Sequence, residues 1–301
     1  MSLTIGTNLA SLASQRQLSK LSNKLGVSYE RLSSGLRVNS AKDDAGGISI
    51  STRVESQIRG TNQAILNVND AISMVQIAEG GTSEVINIIQ RIRELAVQGS
   101  SGGTTQNDRK AIYQELTQLA DQMDLLSGDG VKSGLSMIKY NGMSLSDESQ
   151  NLGDFSLQVG NEAGETLTVE FADIDEIVDQ TVDSNSIDNI VAAGYSTASF
   201  EDVITKADSA LSTQTSTNHT GQLGLLGVQA HLGSTLNRLE SILTSLQVRK
   251  ESTSSMHSRI KDADIAHETA ELTKNTISQN AGVAILAQAN QQPSLAMSLL
   301  G

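Results

Sequence analysis

Apolar and small residues recur at every seventh position from Val54 to Ala96: Val54, Thr61, Val68, Val75, Thr82, Ile89 and Ala96. An interleaved series runs Ile58, Ile65, Ile72, Glu79, Ile86 and Arg93. A seven-residue repeat keeps one stripe of a helix facing a partner helix along its whole length. Six heptads in register predict one helix from about 45 to 98, and such a helix needs other helices to cover it. The chain is permissive for this. It has one proline among 301 residues, where usage of ~5% would give about 15. A proline inside a helix costs ~3 kcal/mol, so its scarcity favours long uninterrupted helices. Gly60, Gly80 and Gly81 weaken the stripe, and the glycine- and serine-rich run 99–103 ends it.

Other segments supply the cover. Ile112, Leu116, Leu119, Met123 and Leu126 share a face, predicting a second helix from about 106 to 126. A third stripe at spacing seven runs from Ile204 through Leu211, Leu225, Leu232, Leu239 and Leu246 to Ile260, with glycines at 221, 224, 227 and 233 able to bend it. At the N-terminal end Ile5, Leu9 and Leu12 form one stripe, and Leu18, Leu21, Leu25 and Leu32 an offset second one. At the C-terminal end Ala263, Ala270, Ile277 and Ala284 recur at seven. Only residues 155–171 alternate with period two, on either side of Asn161-Glu162-Ala163-Gly164, which predicts a β-hairpin. The fold expected is mainly α: an antiparallel bundle and coiled coil of long helices, with a small β-hairpin region and with both termini paired.

Charge is unevenly placed. Residues 140–205 hold fourteen acids and no Lys or Arg, so of the net charge of −13 they account for −14 and leave the rest at +1. Such a band reads as a solvated outer surface that keeps copies apart. Calcium binding is the sharper alternative, but the EF-hand spacing is absent. Residues 1–15 and 275–301 carry no charged side chain, which suggests that both ends become buried. From Arg16 to Lys42 bases predominate, and from Asp262 to Lys274 acids do, so the two ends attract each other. No basic stripe marks a nucleic-acid partner, and no run of ~18 apolar residues marks a membrane span. The start lacks the positive and apolar regions of a cleavable signal peptide. By these signals alone the chain would be cytosolic.

The search for chemistry returns little. There is no Cys and no Trp, which excludes disulfides, thiolate nucleophiles and Cys-held metals. His219, His231, His257 and His267 form no metal-ligand spacing, and no P-loop, GxGxxG or GxSxG motif occurs. Asp43-Asp44 resembles a carboxylate pair, but stands where acids favour the first turn of the long helix. No catalytic, cofactor-binding or metal residues are expected, and no cofactor.

Four motifs in chain order carry a resemblance. Residues 30–46, Glu30-Arg31-Leu32-Ser33-Ser34-Gly35-Leu36-Arg37-Val38-Asn39-Ser40-Ala41-Lys42-Asp43-Asp44-Ala45-Gly46, closely resemble the N-terminal signature of bacterial flagellins. Residues 90–98 resemble their second N-terminal motif. Residues 258–264 and 283–291 resemble their C-terminal motifs, followed by Ser298-Leu299-Leu300. The resemblance covers about 1–170 and 205–301, and the family's Phe-Asn-Gly is here Tyr140-Asn141-Gly142.

The resemblance implies a structural subunit, not an enzyme, that polymerises into the flagellar filament. It implies an inner coiled-coil layer from 1–42 with 262–301, a rod with β-hairpins from 43–172 with 204–261, and a short acidic surface insert at 173–203. The inner contacts would fall on Ile5, Leu9, Leu12, Leu18, Leu21, Leu25, Ile277, Ala284, Leu286, Leu299 and Leu300. It further implies export without cleavage, which replaces the cytosolic expectation with an extracellular one. The partners implied are other copies of the chain, an export chaperone on the C-terminal segment, cap and hook-associated proteins, and a vertebrate Toll-like receptor at positions matching Arg91, Leu95 and Glu115. For those three, rod surface used in subunit packing is the preferred main role. A hook–filament junction protein of the same superfamily is the alternative, and an enzyme displayed on such a scaffold is the alternative of another class.

Overall fold

The structure is a computed structural model that describes residues 8–127, 139–140, 143–144, 154–171, 184–212 and 224–300. The chain order is α1 (Leu9–Ser34), α2 (Ala45–Ser100), α3 (Gln106–Ser127), β1 (Lys139–Tyr140), β2 (Met143–Ser144), β3 (Asp154–Gln158), β4 (Thr166–Glu170), α4 (Ser184–Ala192), α5 (Thr197–Ser212), α6 (Leu225–Lys261) and α7 (Ile265–Leu300). The expected mainly helical fold is present. The chain divides into two compact units, Met1–Arg59 with Glu251–Gly301, and Gly60–Lys250.

The second unit holds the hydrophobic core. Helix α2 runs without a break and buries the whole predicted series from Val54 to Ala96. The second predicted row is buried only at Ile86. Ile58, Ile65, Ile72 and Glu79 are half covered, and Arg93 is exposed. The row that is closed off runs Ala64, Ala71, Ala78, Val85 and Ile92, again at spacing seven. Three alanines in that row let neighbouring backbones come close, and their low hydrophobicity hides the row from a hydropathy scan.

The helices start on side-chain caps, which supply acceptors for first-turn N–H groups that have no partner inside the helix. Asp44 Oδ1 accepts from the Gly47 N–H at 2.9 Å, so the Asp43-Asp44 pair ends as a cap and a turn. Thr105 and Asp108 cap α3 reciprocally: Asp108 N–H donates to Thr105 Oγ1, and Thr105 N–H to Asp108 Oδ2. A short turn then folds α3 back antiparallel to the end of α2, bringing Glu115 beside Arg91.

The predicted hairpin forms from β3 and β4, antiparallel, with Phe155 opposite Val169 and Leu157 opposite Leu167. Leu157, Leu167, Val169 and Phe171 enter the core. The turn depends on Gly164, at φ +92°, a conformation most side chains disfavour. The hairpin is held on α2 by a hydrogen bond from Asn67 Nδ2 to the Gln158 carbonyl. A Cβ at Gly60 would lie 2.8 Å from that of Asn161, so glycine is needed for this contact. Tyr140 of the Tyr140-Asn141-Gly142 motif lies in β1, which pairs antiparallel with β2, Tyr140 opposite Met143; Asn141 and Gly142 lie outside the described residues.

Among the described residues, the late stripe predicted from Ile204 to Ile260 falls on two helices. Helix α5 ends at Ser212 and α6 begins at Leu225. Leu225, Leu232, Leu239 and Leu246 are buried as predicted. On α5 the fully buried residues are Phe200, Val203, Ala207 and Ala210, while the predicted Ile204 and Leu211 are partly buried against the same core.

Truncating Ile89, which is wholly buried, is expected to cost about 2–5 kcal/mol. Leu66→Ala on the exposed face of the same helix is expected to stay within about 0.5 kcal/mol. Chemical denaturation of the full chain measures both, and equal losses would contradict this assignment of faces.

Candidate functional site: the α1–α7 helix pair

Helices α1 and α7 lie antiparallel in the first unit. Three contacts set the register: Asn8 Nδ2 donates to the Ala289 carbonyl at 2.8 Å, Ser11 Oγ donates to Asn290 Oδ1 at 2.8 Å, and Arg31 pairs with Glu268 at 3.6 Å. Both helices begin on side-chain caps, Asn8 for α1 and Asp264 for α7. Helix α1 ends on Gly35 at φ +71°, whose N–H reaches the Arg31 carbonyl.

The seam is more polar than hydropathy predicts. From α1 it buries Ser11, Leu21, Leu25 and Ser28. From α7 it buries Glu268, Asn275 and Ala289. With Gly282 these form a row at spacing seven: Glu268, Asn275, Gly282, Ala289. Of the predicted row, Ala263 precedes α7, and Ala270, Ile277 and Ala284 lie on another side of the helix and are exposed. At Gly282 the helices come close enough that a Cβ would sit 3.3 Å from Leu18 Cδ2. Small and polar residues on the inner row bring the backbones together, and the large apolar ones are left outside.

The outer face is consequently apolar. Leu9 is 70% exposed, Ile277 64%, Ile285 60%, Val283 54% and Leu12 51%. The predicted inner-layer residues therefore separate into two groups. Leu21 and Leu25 close the seam of the subunit itself, with Leu18 packed on Gly282. Leu9, Leu12, Ile277 and Ala284 face outward, and Leu286 is half covered. Ile5, Leu299 and Leu300 fall outside the described side chains. Sequence reasoning missed Ser11, Ser28 and Asn275 and named Glu268 only for its charge; on α7 the available signal was the seven-residue spacing of Glu268, Asn275, Gly282 and Ala289.

The segment after α1 pairs with the segment before α7. Leu36 and Asp262 form an antiparallel bridge, and the Ala263 N–H donates to the Gly35 carbonyl. Arg37 donates its backbone N–H to the Lys261 carbonyl and its guanidinium to the Ile260 carbonyl at 2.7 Å, satisfying acceptors at the end of α6. Asp43 accepts from Asn39 N–H, Ser40 N–H and Ser40 Oγ, and those Ser40 bonds hold its carboxyl below the usual aspartate range. A cavity of about 490 Å³ beside this junction is lined by Lys24, Arg31, Arg37, His267, Glu268 and Glu271, among others. The hydrogen bond from Lys274 holds the Glu271 carboxyl below its ordinary value.

In the other unit, Arg91 donates to Glu115 at 2.8 Å and to Glu94 at 3.2 Å, with all three exposed. Leu95 is only 3% exposed and belongs to the core. The three residues thus form a surface ion pair with a buried support, not three surface contacts.

The family description "Bacterial flagellin N-terminal helical region" matches residues 5–150, and "Bacterial flagellin C-terminal helical region" matches 202–300. Polar flagellin F of Vibrio parahaemolyticus is 31% identical over an aligned span of 377 residues, covering all of both chains. Flagellin C of Vibrio anguillarum is 32% identical over 379 residues, also covering both in full. A crystal structure of Bacillus cereus flagellin is 24% identical, with a TM-score of 0.46, covering 60% of this chain and 88% of that one. With both terminal regions matched and full-length relatives above 30% identity, the chain belongs to the bacterial flagellins, the structural subunits that polymerise into the flagellar filament.

Proposed function

We propose that the filament is built through the outward face of the α1–α7 pair. In this reading residues 1–42 and 262–301 form an inner layer, 43–172 with 204–261 form the rod outside it, and 173–203 lies toward the outer surface. The observation that carries it is the row Leu9, Leu12, Ile277, Val283 and Ile285, exposed on a pair whose own seam is already closed. Covering the open part of each such side chain is worth about 1–2 kcal/mol. A filament needs two different surfaces of one subunit to meet without closing, and the terminal pair and the rod supply them.

The finer reading follows from the same face. Before assembly an export chaperone covers the uncharged C-terminal segment, and the chain leaves the cell without cleavage to act outside it. At the tip it meets cap and hook-associated proteins. Full-length flagellin relatives favour the filament subunit over a junction protein, and the chain acts as a structural protein, not an enzyme. Arg91 and Glu115 serve chiefly in rod packing. A vertebrate Toll-like receptor would meet the same two exposed side chains, with Leu95 supporting them from beneath.

Removing residues 275–301 is expected to leave a soluble protein that does not polymerise after seeding; normal filaments in electron micrographs would sink the proposal. In the monomer, amides of α1 and α7 are expected to exchange rapidly while 54–96 stay protected, and uniform protection by mass spectrometry would contradict it. Asp43 and Glu271 have lowered folded values against ordinary ones of 3.8 and 4.5. Their contribution is therefore present above those ordinary values and lost as pH falls through the lowered ones. The Asp43→Asn, Glu271→Gln double variant is expected to lose less helix signal in filaments on acidification below about pH 4. Circular dichroism tests this, and an unchanged acid profile would refute it.

A further inference from the structure

Helix α4 and the first turn of α5 stand in the stretch between the two matched family regions, which end at 150 and begin again at 202, and the rest of α5 falls in the second region. The aligned spans of the Vibrio relatives exceed the 301 residues here, so those relatives carry sequence that this chain lacks. The acidic composition of 173–203 predicts a surface insert. Its described residues, from Ser184 onward, do more than cover a surface. Ile187 and Ile190 of α4 and Phe200 and Val203 of α5 are buried in the core of the second unit, while the neighbouring acids Asp188, Glu201 and Asp202 stay exposed.

We infer that α4 and α5 form a clasp that closes the end of the helical core, fastened at α2's C-terminus by Phe200 and by Arg109. Two observations carry this independently. The first is steric. The Phe200 ring lies on the Gly99 backbone so closely that a Cβ there would come 2.5 Å from Cδ1 and 2.6 Å from Cε1. Position 99 continues the buried row of Ala64 to Ile92, so the clasp inserts its aromatic where that row ends.

The second is polar. The last carbonyls of a helix have no partner within it. Arg109 Nε donates to the Gly99 carbonyl at 3.1 Å and Nη2 to that of Ser101 at 3.1 Å. Its remaining nitrogen, Nη1, donates to the Tyr195 carbonyl at 3.3 Å, in the turn between α4 and α5. One planar guanidinium thus ties the end of α2, the following turn and the clasp together, a geometry that a lysine ammonium does not reproduce. The turn is itself held under strain. Tyr195 sits at φ +60°, where a non-glycine residue is costly. Its ring is fixed edge-on against Tyr113 at 5.8 Å, with Lys110 Nζ 5.6 Å from its centre. Tyr113 Oη donates to Asp188 at 2.8 Å, and Arg93 pairs with Asp208 at 2.6 Å further along α5. The stretch from α4 into α5 thus folds back to complete the subunit's own core.

Amide exchange and melting of the full chain test the clasp. Arg109→Lys and Phe200→Ala are each expected to raise exchange over residues 96–109 about tenfold or more, with much smaller changes over 64–92. Phe200→Ala is expected to lower the melting temperature by about 10 °C. Gly99→Ala is expected to be damaging alone and nearly silent once Phe200 is alanine, because the clash has gone. If Phe200→Ala fails to fold, Phe200→Leu gives the same exchange comparison. Unchanged exchange over 96–109 in both Arg109→Lys and the Phe200 variant, or additive losses for Gly99→Ala and Phe200→Ala, would overturn the clasp.

Discussion

The structure depends on covering the faces of long helices that repeat every seven residues. A repeat sustained for six heptads removes the usual freedom of a helix to turn its apolar side toward a compact core. It has to be met by partners along its length, and the chain supplies them from α3, α5, α6 and the β3–β4 hairpin. The inner rows are closed with alanine, glycine, serine and threonine at several positions, which bury little area each but permit close approach. Large aliphatic residues are then free to stand outside. On α2 and α6 most of them still find the core. On α1 and α7 many do not, and these exposed side chains make the face proposed above to meet other copies.

Much of this was legible in the sequence, and the failures share a cause. The row from Val54 to Ala96, the row from Leu225 to Leu246 and the alternating hairpin all announced themselves, because β-branched and leucine residues mark the buried face. The second row of α2 and the inner row of α7 did not. In α2 the isoleucines at 58, 65 and 72 outscore the alanines at 64, 71 and 78, yet the alanines are the ones sealed. In α7 the inner row is Glu268, Asn275, Gly282 and Ala289, and no hydropathy scale selects those four. Close packing favours small residues where backbones meet. Hydropathy therefore points away from the seam wherever a helix pair also has to display apolar residues outward.

Charge followed the same logic. Bases near one end and acids near the other were expected to draw the termini together, and the helices do pair. Only one ion pair joins α1 to α7 among the described residues, Arg31 with Glu268. The register explains why. Gly282 lies against Leu18 and Asn290 against Ser11, so Arg16 and Lys20 stand opposite the part of α7 that carries no charge. The one pair present lies in the seam, with Glu268 buried, and sets the register together with the close approach at Gly282 and the two hydrogen bonds of Asn8 and Ser11. Packing and that single pair choose the pairing, not the overall charge balance of the two ends.

The acidic stretch after the hairpin shows how composition can mislead about a short segment. Eight acids without a base between residues 173 and 203 read as solvated surface, and Asp188, the acid of α4, is indeed exposed. But a helix has two faces, and nine residues are enough for α4 to put Ile187 and Ile190 inward while Asp188 and Asn189 stay out. What decides the fate of such a segment is whether a place exists for its few apolar residues. Here the end of α2 provides one, at a glycine that lets an aromatic ring lie against bare backbone. The face of α4 that carries Asp188 to solvent and the face that completes the core are thus two sides of the same nine residues.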